Sequence, residues 1–251
     1  MLKNIFKIKK GTVIVISTMT IIVLIGITTA WLYYGNINKS EDPRVVEAKL
    51  KYKRYNTLAE QKKYDEVFNL LDSIYNIYNQ YDDYKNSYEI GVILNNKAAL
   101  YLTIALFETQ KTNDSLLSLA KVNIEKSIKI YETWLNEHEK LSEIEIREKL
   151  KPIYYKKNNI FDQNKTENYI NKRTKEIILA QAETKRRLSV SYTNLGIIQR
   201  HENKTEEALK TYKKALDLWK NNLTAENNIN IILGKPLRKR TILEKIFPEK
   251  K

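Results

Sequence analysis

Apolar residues recur at threes, fours and sevens along most of this chain, the period that gives a helix one buried stripe. Ile170, Ile177, Thr184, Leu188, Leu195 and Ile198 keep that period over the longest stretch, and predict one helix from about Glu167 to Arg200. Shorter runs read the same way: Val67, Leu71 and Ile74; Leu94, Ala98 and Tyr101; Ala120, Ile124, Ser127 and Tyr131; and Leu223, Ile229, Ile232 and Leu233. Ile144, Leu150 and Ile153 predict a helix bent at Pro152, followed by a polar loop, YYKKNNIFDQNKTEN. With 6 Gly and 4 Pro the chain has few of the residues that tight turns between strands require, so the expected class is all-α.

The polar pattern lapses once. Between Gly11 and Tyr34 run 24 residues without a charge, GTVIVISTMTIIVLIGITTAWLYY, more than the roughly 20 that cross a hydrocarbon core. Trp31, Tyr33 and Tyr34 stand at one end, where amphipathic rings settle among headgroups, and Lys7, Lys9 and Lys10 at the other. The expected layout is a basic cytoplasmic tail (1–10), a single-pass signal anchor (11–34) in the inner membrane, a linker (35–42) and an extracytoplasmic, periplasmic helical domain (43–251). A cleaved signal peptide ending near Thr28, Thr29 and Ala30 is the competing reading, and it exports the same domain. Pro43 suits a first helical turn, with Ser40, Glu41 and Asp42 as candidate caps.

Small residues inside good helices are the next anomaly. In the 34-residue frame 189–222, Tyr192, Leu195 and Gly196 lie on a first helix, and Ala208, Tyr212 and Ala215 on a second, with the polar hairpin HENKTEE between them. Thr205 is a candidate cap for the second helix, and Glu206 and Glu207 favour its positive N-terminal end. This pattern resembles the tetratricopeptide repeat. The resemblance implies an α-solenoid of antiparallel helix pairs, in which Gly196 and Ala208 mark where the two helices cross while Tyr192 and Tyr212 fill the flanks. Gln199 and Lys220 depart from the family's usual aromatic and proline. Degenerate copies are expected at about 48–81, where Tyr55 replaces a small residue, and at 91–135. In the latter, Ala98 takes the glycine position, and Ala120, Ile124, Ser127 and Tyr131 correspond to Ala208, Tyr212, Ala215 and Trp219. Closing helices at 223–247 would cover the last apolar face.

Composition removes several chemistries. Without cysteine there is no disulfide, thiolate metal site or Cys nucleophile. His138 and His201 lack partners at metal-ligand spacing, and Gly234 and Lys235 lack the rest of a phosphate loop, so no metal, cofactor or catalytic residue is expected and the chain is read as a non-enzyme. The formal charge of +14, densest at Lys185, Arg186 and Arg187 and from Lys235 to Arg240, suits solvated helix faces or anionic lipid headgroups. Nucleic acid is not an expected partner of an exported domain.

The resemblance implies function through a concave face lined by first helices. By repeat spacing that groove would present Tyr52, Asn56, Asn95, Asn96, Ala99, Leu102, Thr193, Ile197 and Arg200. Asn56 and Asn96 match the two asparagines of the family's chaperone-tail clamp. Tyr52 stands where the clamp's first lysine would be and its later basic pair is missing, so that activity is not carried over. The expectation is a membrane-anchored scaffold or adaptor that binds and stabilises a partner protein in the cell envelope. The alternative is a self-associating, homo-oligomeric envelope protein with no separate ligand.

Overall fold

The computed structural model describes residues 41–108, 113–156 and 160–240, with Met19, Val23 and Ile27 in addition. Those three are helical and exposed; the rest of the predicted span at 11–34, the tail before it and most of the linker after it lie outside the described residues, as does 241–247 of the predicted closing helices. Among the described residues all regular structure is helical: α1 (Val46–Tyr52), α2 (Tyr55–Glu60), α3 (Tyr64–Asn79), α4 (Tyr88–Thr103), α5 (Asp114–His138), α6 (Glu143–Tyr154), α7 (Thr166–His201), α8 (Thr205–Leu218) and α9 (Leu223–Ile232). A π-helical turn, Ile104–Glu108, continues α4, and a 3-10 turn, Gln163–Lys165, leads into α7.

The helices pack in chain order: α1 and α2 against α3, α3 against α4, α4 against α5, α5 and α6 against α7, α7 against α8, and α8 against α9. In α7 and α8 the contacts run in opposite senses, Gly196 meeting Tyr212 and Ser189 meeting Ala215, so the two are antiparallel. The core falls into three neighbouring clusters. Val67, Leu71, Ile74, Ile90 and Ile93 fill the first. Ile124, Tyr131, Ile146, Ile170 and Ile198 anchor the central one, and Ala208, Tyr212, Ala215 and Ala225 the last. Each large side chain taken fully from water contributes about 1.5–3 kcal/mol.

One described helical stretch, Tyr88–Glu108, is long and apolar enough to cross a bilayer, with a mean hydropathy of 1.5 over its most apolar window. It lies mid-chain, and 44% of that window is buried. Its apolar character has a packing cause: α4 touches α3, α5 and α7, and a helix covered on several sides reads apolar nearly all round.

Local signals behave unevenly. Ser142 and Glu145 cap α6 reciprocally, and Pro152 is accommodated within its last turn. Thr205 does not cap α8; it is the first helical residue and the terminus has no side-chain cap. The helix expected from Pro43 is broken at Lys53 and Arg54 into α1 and α2, with Pro43 in the turn before them.

The segment before α1 is fastened by charge. Asp42 is buried and accepts hydrogen bonds from Arg44 (2.7 Å), Tyr154 (2.7 Å) and Tyr84 (3.2 Å). Arg44 also donates to Asp83, and its guanidinium lies 5.0–5.4 Å from the rings of Tyr81, Tyr84, Tyr154 and Phe161. Arg173, 6% exposed, pairs with Glu89 and lies over the Tyr84 ring at 4.5 Å. Glu41 binds Lys49 and Lys172, joining the same segment to α7. Burial pushes the carboxyls of Asp42 and Glu89 up, but Arg44 and Arg173 outweigh it, and both settle below the ordinary carboxylate range. This clasp holds residues 41–44 to the α3–α4 connection, the end of α6 and the first half of α7.

Candidate binding groove

At the opposite end of α7 the surface opens into a cavity of about 470 Å³. Four elements build it. α4 supplies Ala99, Leu102 and Thr103; the π-turn supplies Leu106 and Phe107; α7 supplies Asn194, Ile197, Arg200 and His201; and Asn228 of α9 closes one side.

Each wall has a local cause. Thr103 donates its hydroxyl to the Ala99 carbonyl (2.8 Å), and α4 then widens into the π-turn that places Leu106 and Phe107 on the rim. Such insertions recur at functional sites because they re-aim side chains without ending the helix. Phe107 is 78% exposed, a large apolar ring offered to solvent. On α7, Asn194, Ile197 and His201 share a face by their three- and four-residue spacing. Behind that face Gly196 meets α8: a methyl carbon placed on it would come 2.7 Å from Tyr212 Cδ1, inside van der Waals contact. The helices therefore approach to a separation that only glycine permits, and the groove face of α7 is set by what packs at its back. Asn222 then ties α9 to α7, donating to Ser189 and Thr193 (2.8 Å each) and accepting from the Ala225 amide (3.1 Å).

The same contact occurs a second time. Gly91 on α4 faces Tyr131 on α5, and an added carbon would again fall 2.7 Å from Cδ1. Ser127 donates to the Gly91 carbonyl (2.8 Å), one helical turn before Tyr131, where Ala208 stands one turn before Tyr212. Spacing alone put Ala98 in the glycine position and matched Tyr131 to Trp219. The contacts instead pair Gly91 with Gly196 and Tyr131 with Tyr212, a shift of seven residues. Seven residues is nearly two helical turns, so the apolar stripe looks alike in either register and only the glycine distinguishes them.

Of the nine positions expected on the groove, Ala99, Leu102, Ile197 and Arg200 converge on the cavity. Asn96 donates to the Tyr52 hydroxyl (2.8 Å), and Ser191 donates to Asn95 (2.9 Å), so these residues stitch α4 to α1 and α7. Asn56 is exposed on α2. Thr193 does not face the groove: it is 2% exposed, donates to the Ser189 carbonyl and accepts from Asn222. Among the packing residues, Gly196, Ala208, Tyr212 and Ala215 are buried between helices, while Tyr192 and Leu195 are partly buried, the Tyr192 hydroxyl donating to Glu132 of α5. Repeat spacing did not find Phe107 and Asn228. The sequence marks of these two are an aromatic just before a polar stretch and an Asn pair within an apolar helix.

Electrostatically the groove is cationic and amide-rich. Arg200 has no carboxylate within ion-pairing distance among the described residues. Burial and then Arg200 lower the His201 pKa, leaving the ring neutral at pH 7. Among the described residues the buried Tyr212 hydroxyl has no hydrogen-bond partner, and burial pushes its pKa up to about 12 against the pull of Arg200. Among the described residues no three His, Asp or Glu side chains gather to hold a metal ion.

No family model, curated protein or solved structure matches this chain. What the cavity supplies chemically is apolar surface from Ala99, Leu102, Ile197 and Phe107, amides able both to donate and to accept from Asn194 and Asn228, and a cation from Arg200.

Proposed function

We propose that this chain is a membrane-anchored scaffold whose helical domain binds a segment of a partner protein in the cell envelope. In this reading residues 11–34 are the anchor, and α1 to α9 form a stack of antiparallel pairs of the tetratricopeptide type, with α1, α4, the end of α7 and α9 along its inner face. The carrying observation is the groove itself, where α4, α7 and α9 together present apolar, amide and cationic groups. Clefts that combine an apolar floor with a few polar groups are where ligands dock, the polar groups fixing orientation. The repeated glycine–tyrosine contact supports the stack, because the same device sets the α4–α5 and α7–α8 pairs.

In-cell photo-crosslinking from position 197 or 107 of the full-length chain, followed by mass spectrometry, tests the reading. One partner protein recovered from both positions, absent from position 50 on the far α1 surface and lost in Arg200→Glu, is the expected result. Crosslinks joining only copies of this chain would replace it with the self-associating envelope protein.

A further inference from the structure

The far end of α9 carries a surface that the groove does not use. The helix closes in a hydrogen-bonded turn: the Gly234 amide donates to the Ile231 carbonyl (3.3 Å) and the Lys235 amide to that of Asn230 (2.8 Å), with Gly234 at φ 64°. A glycine in the left-handed region thus stops the helix and redirects the chain. Residues 235–238 run back beside α9, where the Arg238 amide donates to Asn227 (2.8 Å), its carbonyl accepts from the Asn227 side chain (3.0 Å) and its guanidinium pairs with Glu226 (2.8 Å). The turn is held in one shape by these bonds.

Two kinds of side chain stand outward from it. Ile231, Leu233 and Leu237 are 51%, 50% and 57% exposed, three large aliphatic groups around one helix end. Among them Lys235, Lys239 and Arg240 are exposed and have no ion pair among the described residues. From Leu216 to Arg240 there are five Lys or Arg against two carboxylates, Asp217 and Glu226, and Arg238 engages Glu226. Water satisfies the cations and leaves the aliphatic groups exposed. A bilayer with anionic headgroups takes both, the acyl boundary receiving the aliphatic groups and the phosphates the cations. The 24 uncharged residues 11–34 are long enough to hold the chain at such a surface.

Reach sets the orientation. The six residues 35–40 between that span and Glu41 extend at most about 21 Å. Lys172, which pairs with Glu41, and Arg200, which lines the groove with Asn228 of α9, are about 42 Å apart along α7. An upright α7 would keep the turn away from the bilayer, and only a rod inclined nearer to flat brings it down.

We propose that the turn at Gly234 is a second membrane contact: Ile231, Leu233 and Leu237 enter the interface of an anionic bilayer, Lys235, Lys239 and Arg240 bind its headgroups, and α7 lies along the surface. This rests on residues 11–34 being the anchor and not on what the groove binds. Because the chain has no native cysteine, Leu237→Cys can carry a single polarity-sensitive NBD label. The labelled full-length chain is reconstituted into phosphatidylcholine vesicles with or without phosphatidylglycerol as a third of the lipid. The expected result is a blue-shifted label, quenched by nitroxide lipids, in the anionic vesicles only. The docked fraction relative to the undocked should fall about fivefold for each cation removed, so Lys235→Glu, Lys239→Glu and Arg240→Glu together return the aqueous spectrum. Ile231→Ser with Leu233→Ser should also lose the shift, which shows that the label does not supply the contact itself. A label that stays aqueous while the chain floats with the vesicles overturns the docking and leaves the anchor; a chain that does not float removes both. Equal quenching in neutral vesicles, or quenching that survives the triple substitution, overturns it too. A label shielded only from water, with crosslinks to a protein, would assign the turn to an acidic protein partner instead.

Discussion

Arg173 and Gly196 lie on the same helix yet meet their neighbours in different ways. Arg173 reaches out, pairing with Glu89 and covering the Tyr84 ring, in a region where Asp42, Arg44 and Lys172 are also engaged. Gly196 offers nothing, and the absence lets the Tyr212 ring lie against the backbone. The first half of α7 is thus held by directional, charged contacts that specify one arrangement. The second half is held by close packing at Gly196 and by hydrogen bonds of Ser189, Ser191, Tyr192 and Thr193, with its other face lining the groove. Buried ion pairs add little net stability over apolar packing, but they penalise every misplacement, and this one fixes where the segment before α1 must sit.

The largest effect should come from breaking that end. Arg173→Ala leaves Glu89 buried without its cation, and urea unfolding followed by circular dichroism should show a loss of about 3–5 kcal/mol. Combining Arg173→Met with Glu89→Leu should restore most of it; if the double variant is no better than the single, the cost is packing and not charge.

At the other end the sign of a substitution is diagnostic. Gly to Ala inside a helix ordinarily gains about 0.5–1 kcal/mol. Here Gly196→Ala and Gly91→Ala should each lose about 1–3 kcal/mol, because the new methyl meets a tyrosine ring that is itself packed. A gain at Gly91 would show that the two contacts are not the same device.

Acid separates the ends more gently. Asp42 and Glu89 have folded pKa values below their unfolded ones, so the stability they contribute is present above the unfolded value, near 4, and is lost as pH falls through the lower folded values. Hydrogen exchange at pH 3 should therefore show residues around the clasp opening before α8 and the end of α7, and Asp42→Asn should reduce that difference. The smallest change in stability is expected for Arg200→Glu, within about 0.5 kcal/mol, since among the described residues Arg200 has no ion-pair partner to lose. Under the proposed function its effect falls on partner capture, so a large stability loss there would make Arg200 a structural residue.

What the sequence made legible tracks how local each signal is. α7 runs from Thr166 to His201, within one residue of the limits its apolar period predicts, because a sustained stripe over many turns needs no tertiary information. Spacing marked Gly196 as a point of close approach but set Ala208 opposite it with Tyr212 on the flank, whereas the atoms nearest Gly196 are those of the Tyr212 ring. The corresponding register in α4 and α5 was not readable, because two apolar stripes seven residues apart look alike and Gly91 sits in an otherwise ordinary apolar run. The clasp was also hidden: Asp42 looked like a cap, and nothing near it in sequence announces Tyr84, Tyr154 or Phe161. Its partners are separated by up to 112 residues. Thr193 misled for a similar reason, since its burial depends on Asn222 arriving from the turn before α9.

The unbroken length of α7 has a mechanical meaning. Its 36 residues measure about 54 Å end to end, with the clasp near one tip and Arg200 at the other. A continuous rod of that kind is a spacer: it sets a fixed offset between the groove and the point where the chain enters its first helix.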